Sequence, residues 1–270
     1  MTCEICGDTR TRPTRYNNVF GMGADLVQCL GCGARFYAGT MGDERFYTSP
    51  AYDEYVRKSY VNGSPFEQDA GQVQMYRDVR WGVFAAAIAE LASFAGGYGA
   101  GGKCQTLFEV GAAWGEMLLV ARSMTIEVSG CDASTAGPEI AKKHDVDVQS
   151  AVLQDATMPE NLDAVIMWDM IEHTFTPGAD LRKVFAHLRS GGALLLKTFY
   201  EEWHFDRELD LTQENKTRGL ATSGQFAPNA HPYHFTSGAL CQILLGVGFE
   251  LRKVSLDSES GLITVYAVKP

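Results

Sequence analysis

The sequence predicts an α/β fold, in which helices pack on the faces of a largely parallel sheet, with a small metal-binding unit at the N-terminus. Three observations lead to this prediction. An apolar strand runs into a glycine turn and a helix at residues 106–115, strands and helices alternate after that turn, and two Cys-x-x-Cys pairs lie within the first 32 residues.

The turn at residues 106–115 has the features of a cofactor-binding turn. Its sequence is T-L-F-E-V-G-A-A-W-G, in which Glu109 precedes two glycines, Gly111 and Gly115. Glycine adopts positive φ angles readily and lets a ligand approach the backbone, while N–H groups at the start of the next helix point toward that ligand. An ordinary strand-turn-helix connection in another α/β protein would show the same pattern, so the turn alone leaves both interpretations open.

Length and composition fit one large domain with a small appendage. The chain has 270 residues, of which 46% are apolar, enough for a substantial core. Its formal net charge of −10 argues against a general nucleic-acid binder, because phosphate binding requires clustered Lys and Arg, and favours a small-molecule partner. No apolar run approaches the roughly 20 residues of a membrane helix, and the N-terminus does not resemble a signal peptide. We therefore expect a cytoplasmic protein with no membrane partner.

Four cysteines near the N-terminus predict a zinc site. Cys3 and Cys6 form one Cys-x-x-Cys pair, and Cys29 and Cys32 form the second. Two such turns can place four thiolates around one ion, so the pattern favours a structural zinc ribbon in residues 1–40 over disulfides or free thiols. A four-thiolate shell leaves no position for water, so we expect the ion to have no catalytic role.

The predicted ribbon shows no basic face that would grip nucleic acid. Residues 1–40 contain four arginines against three acids, and four thiolates with one zinc ion add two negative charges. The remaining cysteines, Cys104, Cys131 and Cys241, lie in or beside apolar runs, so we predict that they are packed core residues.

Residues 41–71 are rich in aromatic side chains and are predicted to connect the ribbon to the main domain. We expect short helices here, which form either a lid or an interdomain contact. Apolar residues spaced as on one helix face predict an amphipathic helix over residues 72–94. The glycine-rich residues 96–102 then provide a flexible link to the first strand.

Strands and helices alternate along the rest of the main domain, residues 72–270. After the turn, the pattern predicts strands at 126–131, 146–148, 162–168, 193–198, 249–254 and 262–268, and helices at 135–144, 180–188 and 238–245. Residues 200–230 lack a sustained period and follow a strand end, where ligands bind in open α/β folds. We interpret them as a substrate-specificity insertion.

Asp132 follows the second strand of this sheet, about 20 residues after the glycine turn. An acid at this position can accept hydrogen bonds from ribose hydroxyls. It could also cap the helix that follows, and the two roles are compatible.

The turn and the segments after it resemble class I S-adenosylmethionine-dependent methyltransferases. The Glu-x-Gly-x-x-x-Gly turn is similar to the first motif of that family, and D-M-I-E-H at residues 169–173 is similar to the segment after its fourth strand. The resemblance implies a Rossmann-like, seven-stranded sheet with a reversed last strand and S-adenosylmethionine as cofactor. It also implies that Asp155 meets the adenine amine. The residues implied to contact the cofactor are Glu109, Gly111, Ala112, Gly115, Asp132, Ala133, Gln154, Asp155, Trp168 and Asp169.

Within this family, the chain is similar to the sugar C-methyltransferases and the polysaccharide and natural-product methyltransferases that carry an N-terminal zinc ribbon. The run from His231 to Ser237, before a capped helix, resembles a segment that carries a Glu-His pair in the sugar enzymes, although Ala230 stands at the Glu position. This similarity implies methyl transfer to a small molecule, most often a nucleotide-linked sugar.

Methyl transfer requires the acceptor, the methyl group and the sulfur to be aligned, and one proton to be removed from the acceptor. Histidine suits that base because its ordinary pKa is roughly 6.5. His231 and His234 are the leading candidates because they follow the insertion, and His173 comes next.

Two other functions remain open from the sequence. One is an RNA methyltransferase whose ribbon contacts nucleic acid, which the acidic balance and the missing basic patch disfavour. The other is a module that kept the fold without catalysis, which would be supported by failure to bind S-adenosylmethionine.

Overall fold

The protein is described by a computed structural model that covers residues 2–14, 24–39, 47–62, 70–97, 101–200 and 231–270. Apart from Tyr200, the predicted insertion at 200–230 lies outside the described residues. The described strands form two sheets, one of seven strands and one of four. Within the same ranges, no helix is both long and apolar enough to cross a membrane.

The strands and helices are numbered separately in chain order. The strands are β1 (Thr11–Pro13), β2 (Ala24–Cys29), β3 (Arg35–Gly39), β4 (Thr106–Val110), β5 (Glu127–Asp132), β6 (Asp147–Ser150), β7 (Leu162–Trp168), β8 (Leu188–Phe199), β9 (Tyr233–His234), β10 (Glu250–Asp257) and β11 (Leu262–Val268). The helices are α1 (Pro50–Asn62), α2 (Ala70–Phe94), α3 (Glu116–Ser123), α4 (Ala136–Ala141), α5 (Pro177–His187) and α6 (Ser237–Val247), with 3₁₀ turns at Lys142–His144 and Ile171–His173.

The larger sheet has the strand order β10-β11-β8-β7-β4-β5-β6. Strands β6, β5, β4, β7 and β8 are parallel, whereas β11 is antiparallel to β8 and to β10. The predicted seven-stranded sheet with a reversed last strand is therefore confirmed. The carboxyl ends of β4, β5 and β7 lie together at one edge, which places the predicted cofactor residues side by side.

Both faces of this sheet are covered, as expected for parallel strands. Along β7, Ala164 and Ile166 point to one face, where they join a buried cluster with α2 and α3. Val165 and Met167 point to the other face and pack in a cluster with α5 and α6. The apolar run of β7 therefore reflects burial on both sides.

Several element ends differ from the predicted ones. Helix α5 begins at Pro177, because proline fits the first turn of a helix, where its missing N–H costs nothing. The predicted helix at 135–144 divides into α4 and the 3₁₀ turn Lys142–His144. Asp145, which follows this turn, has a positive φ of 55°. Strand β8 begins at Leu188 and is longer than predicted.

Helix α1 docks the connecting segment onto the main domain. The Asp53 carboxylate accepts hydrogen bonds from the backbone N–H groups of Thr135 and Ala136, each at 2.9 Å. These N–H groups stand at the start of α4 and have no partner within that helix. Asp53 therefore caps α4 from a distant part of the chain.

The smaller sheet joins the N-terminal unit to the C-terminal half of the chain. Its order is β1-β2-β3-β9, and β9 pairs antiparallel with β3 so that Arg35 lies opposite His234 and Phe36 opposite Tyr233. The Thr236 hydroxyl also donates a hydrogen bond to the Cys32 carbonyl at 3.3 Å. This sheet is therefore not built from the predicted ribbon, residues 1–40, alone.

Candidate functional site

The glycine turn after β4 has the tight geometry that a cofactor site needs. Gly111 has a φ of +75°, and a Cβ atom added there would lie 2.9 Å from Cγ of Met170. The backbone N–H groups of Gly111 and Ala112 donate to the Cys131 carbonyl at 2.9 and 3.0 Å, which fixes the turn against β5. Gly115, with φ +78°, then begins α3. Any larger residue at Gly111 would fill space beside Met170 and strain the backbone.

Asp132 ends β5 and stabilises the same turn. Its Oδ2 accepts a hydrogen bond from the Ala113 N–H at 2.8 Å, and its Oδ1 accepts from the N–H and hydroxyl of Ser134 at 2.9 and 2.6 Å. Only 4% of the residue is exposed, and this burial raises the pKa of the carboxyl group, against the lowering effect of Ser134 and Ala113. Each carboxylate oxygen has two lone pairs, so Asp132 keeps capacity for a further donor.

Two adjoining cavities meet at this edge of the sheet. The smaller, of about 100 Å³, is lined by residues that include Gly111, Asp132, Ala133 and Gln154. The larger, of about 1010 Å³, is lined by residues that include Glu109, Ala112 and Trp168. Both cavities share the lining residues Tyr47, Tyr52, Gly111, Asp169 and His173. The residues shared by the two cavities therefore come from the glycine turn, the segment after β7, and the start of α1 with the residues before it.

Eight of the ten predicted cofactor residues line one cavity or the other. The exceptions are Gly115, which sits behind the turn at the start of α3, and Asp155. Asp155 is exposed in the loop after β6 and lines neither of these two cavities, whereas its neighbour Gln154 lines the smaller one. The Gln154 amide donates to the buried Asp180 carboxylate, whose other oxygen accepts from the Thr174 hydroxyl.

Glu109 is a buried acid with unused hydrogen-bonding capacity. Its side chain is 6% exposed, and its Oε2 atom has no hydrogen-bond partner. Burial, with a smaller effect from the charge of Asp132, raises the pKa of Glu109 to about 8. A buried carboxylate without a partner is costly, so this position fits a cationic group of a bound ligand.

Asp169 and Trp168 form the junction between the cavities. Asp169 has a φ of +50°, which is unusual for a residue other than glycine, and its Oδ1 lies 3.1 Å from the Lys197 ammonium. The same ammonium lies 4.3 Å from the centre of the Trp168 ring. Lys197 thus fixes both residues, and a left-handed backbone at such a position is typical of functional sites.

Two of the three predicted histidines meet in the larger cavity. The rings of His173 and His231 lie 4.5 Å apart between centroids, although the two residues are 58 positions apart in the sequence. The Tyr47 hydroxyl lies 2.6 Å from Nδ1 of His173. These three side chains form a polar cluster in a wall that otherwise contains many aromatic residues.

His234 lies next to His231, with 6.4 Å between ring centroids, but does not reach either cavity. It belongs to β9, packs edge-on against Tyr37 with 5.8 Å between ring centroids, and lines neither of the two cavities. Burial, aided by the positive charge of Arg35, lowers the pKa of His234 to about 3. The pairing of β9 with β3 explains this placement. His231 precedes β9, whereas His234 lies within β9 and belongs to the four-stranded sheet.

The four N-terminal cysteines come together as predicted. Their sulfur atoms all lie within 4.8 Å of one another, with Cys3 and Cys32 at 3.7 Å and Cys6 and Cys29 at 3.5 Å. Tetrahedral zinc with bonds of about 2.3 Å requires sulfurs about 3.8 Å apart. None of these four cysteines forms a disulfide, so their sulfurs are available to an ion. The donor set and spacing fit a four-coordinate zinc ion.

Sequence reasoning did not assign site roles to Tyr47, Tyr52, Lys197 and Asp180, all of which line a cavity. Lys197 carried a usable signal, since it is a lone charge within the apolar strand A-L-L-L-K-T-F. Tyr47 and Tyr52 stood out only through the aromatic content of their segment, and Asp180 resembles an ordinary acid in a first helical turn.

Comparison with known proteins agrees with this geometry. The sequence matches the model of a methyltransferase-domain family over residues 76–254. No curated protein shows significant sequence similarity to the chain.

Solved structures with related folds include two methyltransferases with bound S-adenosylhomocysteine. One is 1,6-didemethyltoxoflavin-N1-methyltransferase from Burkholderia thailandensis, with TM-score 0.56 and 13% identity, covering 90% of this chain and 98% of that one. The other is magnesium protoporphyrin IX methyltransferase (ChlM) from Synechocystis PCC 6803, with TM-score 0.55 and 16% identity, covering 84% and 97%. The [4+2]-cyclase SpnF is also similar, with TM-score 0.59 and 17% identity, covering 86% and 98%. At these identities the likeness shows the fold.

Proposed function

Because the chain belongs to the methyltransferase-domain family and is an S-adenosylmethionine-dependent enzyme of that family, we propose that it methylates a small molecule. The acceptor we propose is a nucleotide-linked sugar or a related intermediate of natural-product or polysaccharide synthesis. Two neighbours of the same fold are named for small-molecule substrates, a toxoflavin precursor and magnesium protoporphyrin IX, which supports the small-molecule part of the proposal.

The observation that carries the proposal is the pair of adjoining cavities that share lining residues. The smaller cavity contains Asp132, Ala133 and Gln154, the residues proposed for the adenosine end of the cofactor. The larger cavity begins at Glu109 and Asp169 and has room for an acceptor. A cofactor that reaches from the smaller cavity to Glu109 would meet an acceptor in the larger cavity where the two cavities adjoin, at Gly111 and Asp169, and alignment there for direct transfer is most of what this reaction requires of a protein.

The residues of the smaller cavity and the turn fit S-adenosylmethionine. Asp132 has spare lone pairs for ribose hydroxyls, and the unpartnered Oε2 of Glu109 suits an ammonium group such as that of the methionine moiety. Met170 packs so closely on Gly111 that an added Cβ would clash with it, so only glycine fits at this position of the turn. Bound there, the cofactor would supply an activated methyl group.

The acceptor must lose a proton, and we propose that His173 or His231 receives it. Both line the larger cavity, next to Asp169 at the junction. We propose that Nδ1–H of His173 donates to the Tyr47 hydroxyl oxygen, in the tautomer whose Nε2 can take a proton. His234 is a weaker candidate for the base than predicted, because it lines neither cavity and its pKa is lowered to about 3.

The wall of the larger cavity supports a ring-shaped, polar acceptor. Tyr52 and Tyr55 stack with ring centroids 5.8 Å apart and planes 12° apart, and Phe84 and Phe199 line the same space. Aromatic faces can pack against a ring, while the two histidines can bond to hydroxyl groups. The choice of a sugar among such rings comes from the resemblance to ribbon-containing sugar methyltransferases.

We further propose that the four-cysteine cluster holds a structural zinc ion. Its four sulfurs would close the coordination shell, so the ion would order the ribbon and take no part in transfer.

The proposal is tested by incubating the zinc-loaded protein with methyl-labelled S-adenosylmethionine and separate panels of nucleotide sugars and of RNA. We expect labelled product and stoichiometric S-adenosylhomocysteine with one or more sugars, and none with RNA. Labelling of RNA alone would refute the small-molecule proposal. Binding of the cofactor without transfer to any sugar would contradict the sugar assignment and favour a different acceptor or a non-methylating role.

A further inference from the structure

A second group of metal-ligating side chains lies in the wall of the larger cavity. One ligand atom each from Glu172, His173 and His231 lies within 4.8 Å of the other two. Glu172 and His173 belong to the 3₁₀ turn after β7, and His231 immediately precedes the segment that forms β9. Two distant parts of the chain therefore bring two imidazoles and a carboxylate to one point.

Glu172 supplies an independent indication that a cation belongs there. The residue is 4% exposed, and neither of its carboxylate oxygens makes a hydrogen bond. The nearby Thr198 hydroxyl is also buried and makes no hydrogen bond of acceptable distance and angle. A buried carboxylate is stable only when it is paired, protonated or bound to a metal.

We propose that Glu172, His173 and His231 bind a divalent transition-metal ion. Two imidazoles with one carboxylate are typical ligands of Fe²⁺, Co²⁺, Ni²⁺ or Zn²⁺, whereas Mg²⁺ and Ca²⁺ prefer a shell of oxygens. Three protein ligands leave positions open, in contrast to the closed shell of the cysteine cluster.

The surroundings of the cluster support this assignment. The Tyr47 hydroxyl contacts Nδ1 of His173 at 2.6 Å, so Nε2 is the proposed ligand atom. Such a contact to the second nitrogen is how proteins orient metal-binding histidines. Bonds of about 2.1 Å bring neighbouring ligand atoms to about 3 Å, so small rotations of these side chains would complete the site.

The catalytic role of this metal ion rests on the proposed function, whereas its binding can be tested without an assay of methyl transfer. His173 and His231 line the larger cavity, so a cation bound to them would face an acceptor held there. A hydroxyl bound to such a cation would be more acidic and would give its proton to solvent water in the cavity, while the histidines would serve as ligands and not as the base. The site would thereby join acceptor binding to acceptor activation.

The test is titration of the zinc-loaded protein with Co²⁺, followed by visible absorption and by metal analysis after gel filtration. We expect one Co²⁺ per chain in addition to the ribbon zinc, with the weak absorption bands of nitrogen and oxygen ligands. Cobalt that displaced the ribbon zinc would instead give intense thiolate charge-transfer bands. Glu172→Gln and His231→Asn should each weaken cobalt binding on the order of 100-fold, because each removes a direct ligand.

His187→Asn is the matched control. His187 also lies near a glutamate, with Nδ1 3.4 Å from Oε1 of Glu160, but it stands on α5 away from the cluster. This variant should bind cobalt as the wild type does. If Glu172→Gln fails to fold, as judged by its melting temperature, His231→Asn still provides the test. Absence of an additional cobalt ion, or wild-type binding by both cluster variants, would overturn the metal site. The histidine-base proposal would survive that result, because it is tested by turnover.

Discussion

The Tyr47 hydroxyl lies 2.6 Å from Nδ1 of His173, and both residues line both cavities. Their rings meet edge to face with 5.2 Å between centroids. Burial raises the pKa of Tyr47 above its ordinary value, so the phenol stays neutral and can hold His173 in one tautomer. The segment before α1 therefore takes part in the site.

Replacing Tyr47 with phenylalanine should lower turnover about tenfold, which corresponds to about 1.4 kcal/mol in the barrier. The ring would remain, but His173 would lose the partner that fixes its tautomer. Steady-state kinetics with a cofactor-binding measurement would separate this effect from a change in affinity, which should be small. Tyr60→Phe is the control, since Tyr60 makes a similar contact with Nε2 of His144 at 3.1 Å and lines neither cavity. Wild-type turnover in Tyr47→Phe would contradict the assigned role.

His231→Asn and His234→Asn should have opposite effects. Loss of His231 should reduce turnover by on the order of 100-fold, the usual contribution of a general base, and leave the melting temperature nearly unchanged. Loss of His234 should lower the melting temperature, because this buried ring packs against Tyr37 in the four-stranded sheet. Turnover and thermal unfolding measured on both variants would check this. A stable His234→Asn protein without activity would instead support His234 as the base.

Glu109 should make cofactor binding depend on pH. In the free protein its pKa is about 8, so it is mostly protonated at pH 7. A ligand ammonium favours the carboxylate, so binding should release a proton at pH 7. The affinity for S-adenosylhomocysteine should therefore rise with pH, about fivefold between pH 7 and 8, and level off above the pKa. Calorimetry in buffers of different ionisation enthalpy measures that proton. Glu109→Gln should abolish the dependence, and an unchanged pH profile in this variant would rule out Glu109 as its source.

Removal of zinc should impair turnover more than cofactor binding. The ribbon strand β3 pairs with β9, and His231 stands two residues before β9. Chelation, or Cys32→Ser, should therefore release the His231 segment while leaving the glycine turn and Asp132 in place. Metal analysis, thermal unfolding and kinetics would show this, with Cys241→Ser on α6 as the control. A metal-free protein with normal melting and normal turnover would exclude a zinc-ordered ribbon.

The sequence was most informative where local pattern determines structure. Strand β7 has the predicted bounds because its apolar run is buried on both faces, and the last strand β11 also matches. Asp132 was predicted from its place after the second strand, and Glu109 and Asp169 from the resemblance to methyltransferase motifs. All three line a cavity at the carboxyl edge of the sheet.

The remaining features depend on contacts between distant parts of the chain. Strand β9 has two residues and exists only through its pairing with β3, so no periodicity marks it. The contact of Tyr47 with His173 and the capping of α4 by Asp53 arise in the same way. His231 and His234 lie close in sequence, but only that pairing shows that one enters the cavity and the other the sheet.

Calorimetric titration of the zinc-loaded protein with S-adenosylhomocysteine tests the central claim, that the turn at Glu109–Gly115 and Asp132 form the cofactor site. We predict one site of micromolar affinity. Asp132→Asn should weaken binding about tenfold or more, because a tenfold change in Kd corresponds to about 1.4 kcal/mol and a hydrogen bond to a charged group contributes at least that much. Asp155→Ala should bind nearly as the wild type does, because Asp155 is exposed and lines neither cavity. Absence of binding by a folded, zinc-loaded protein, or equal affinity in Asp132→Asn, would contradict the account.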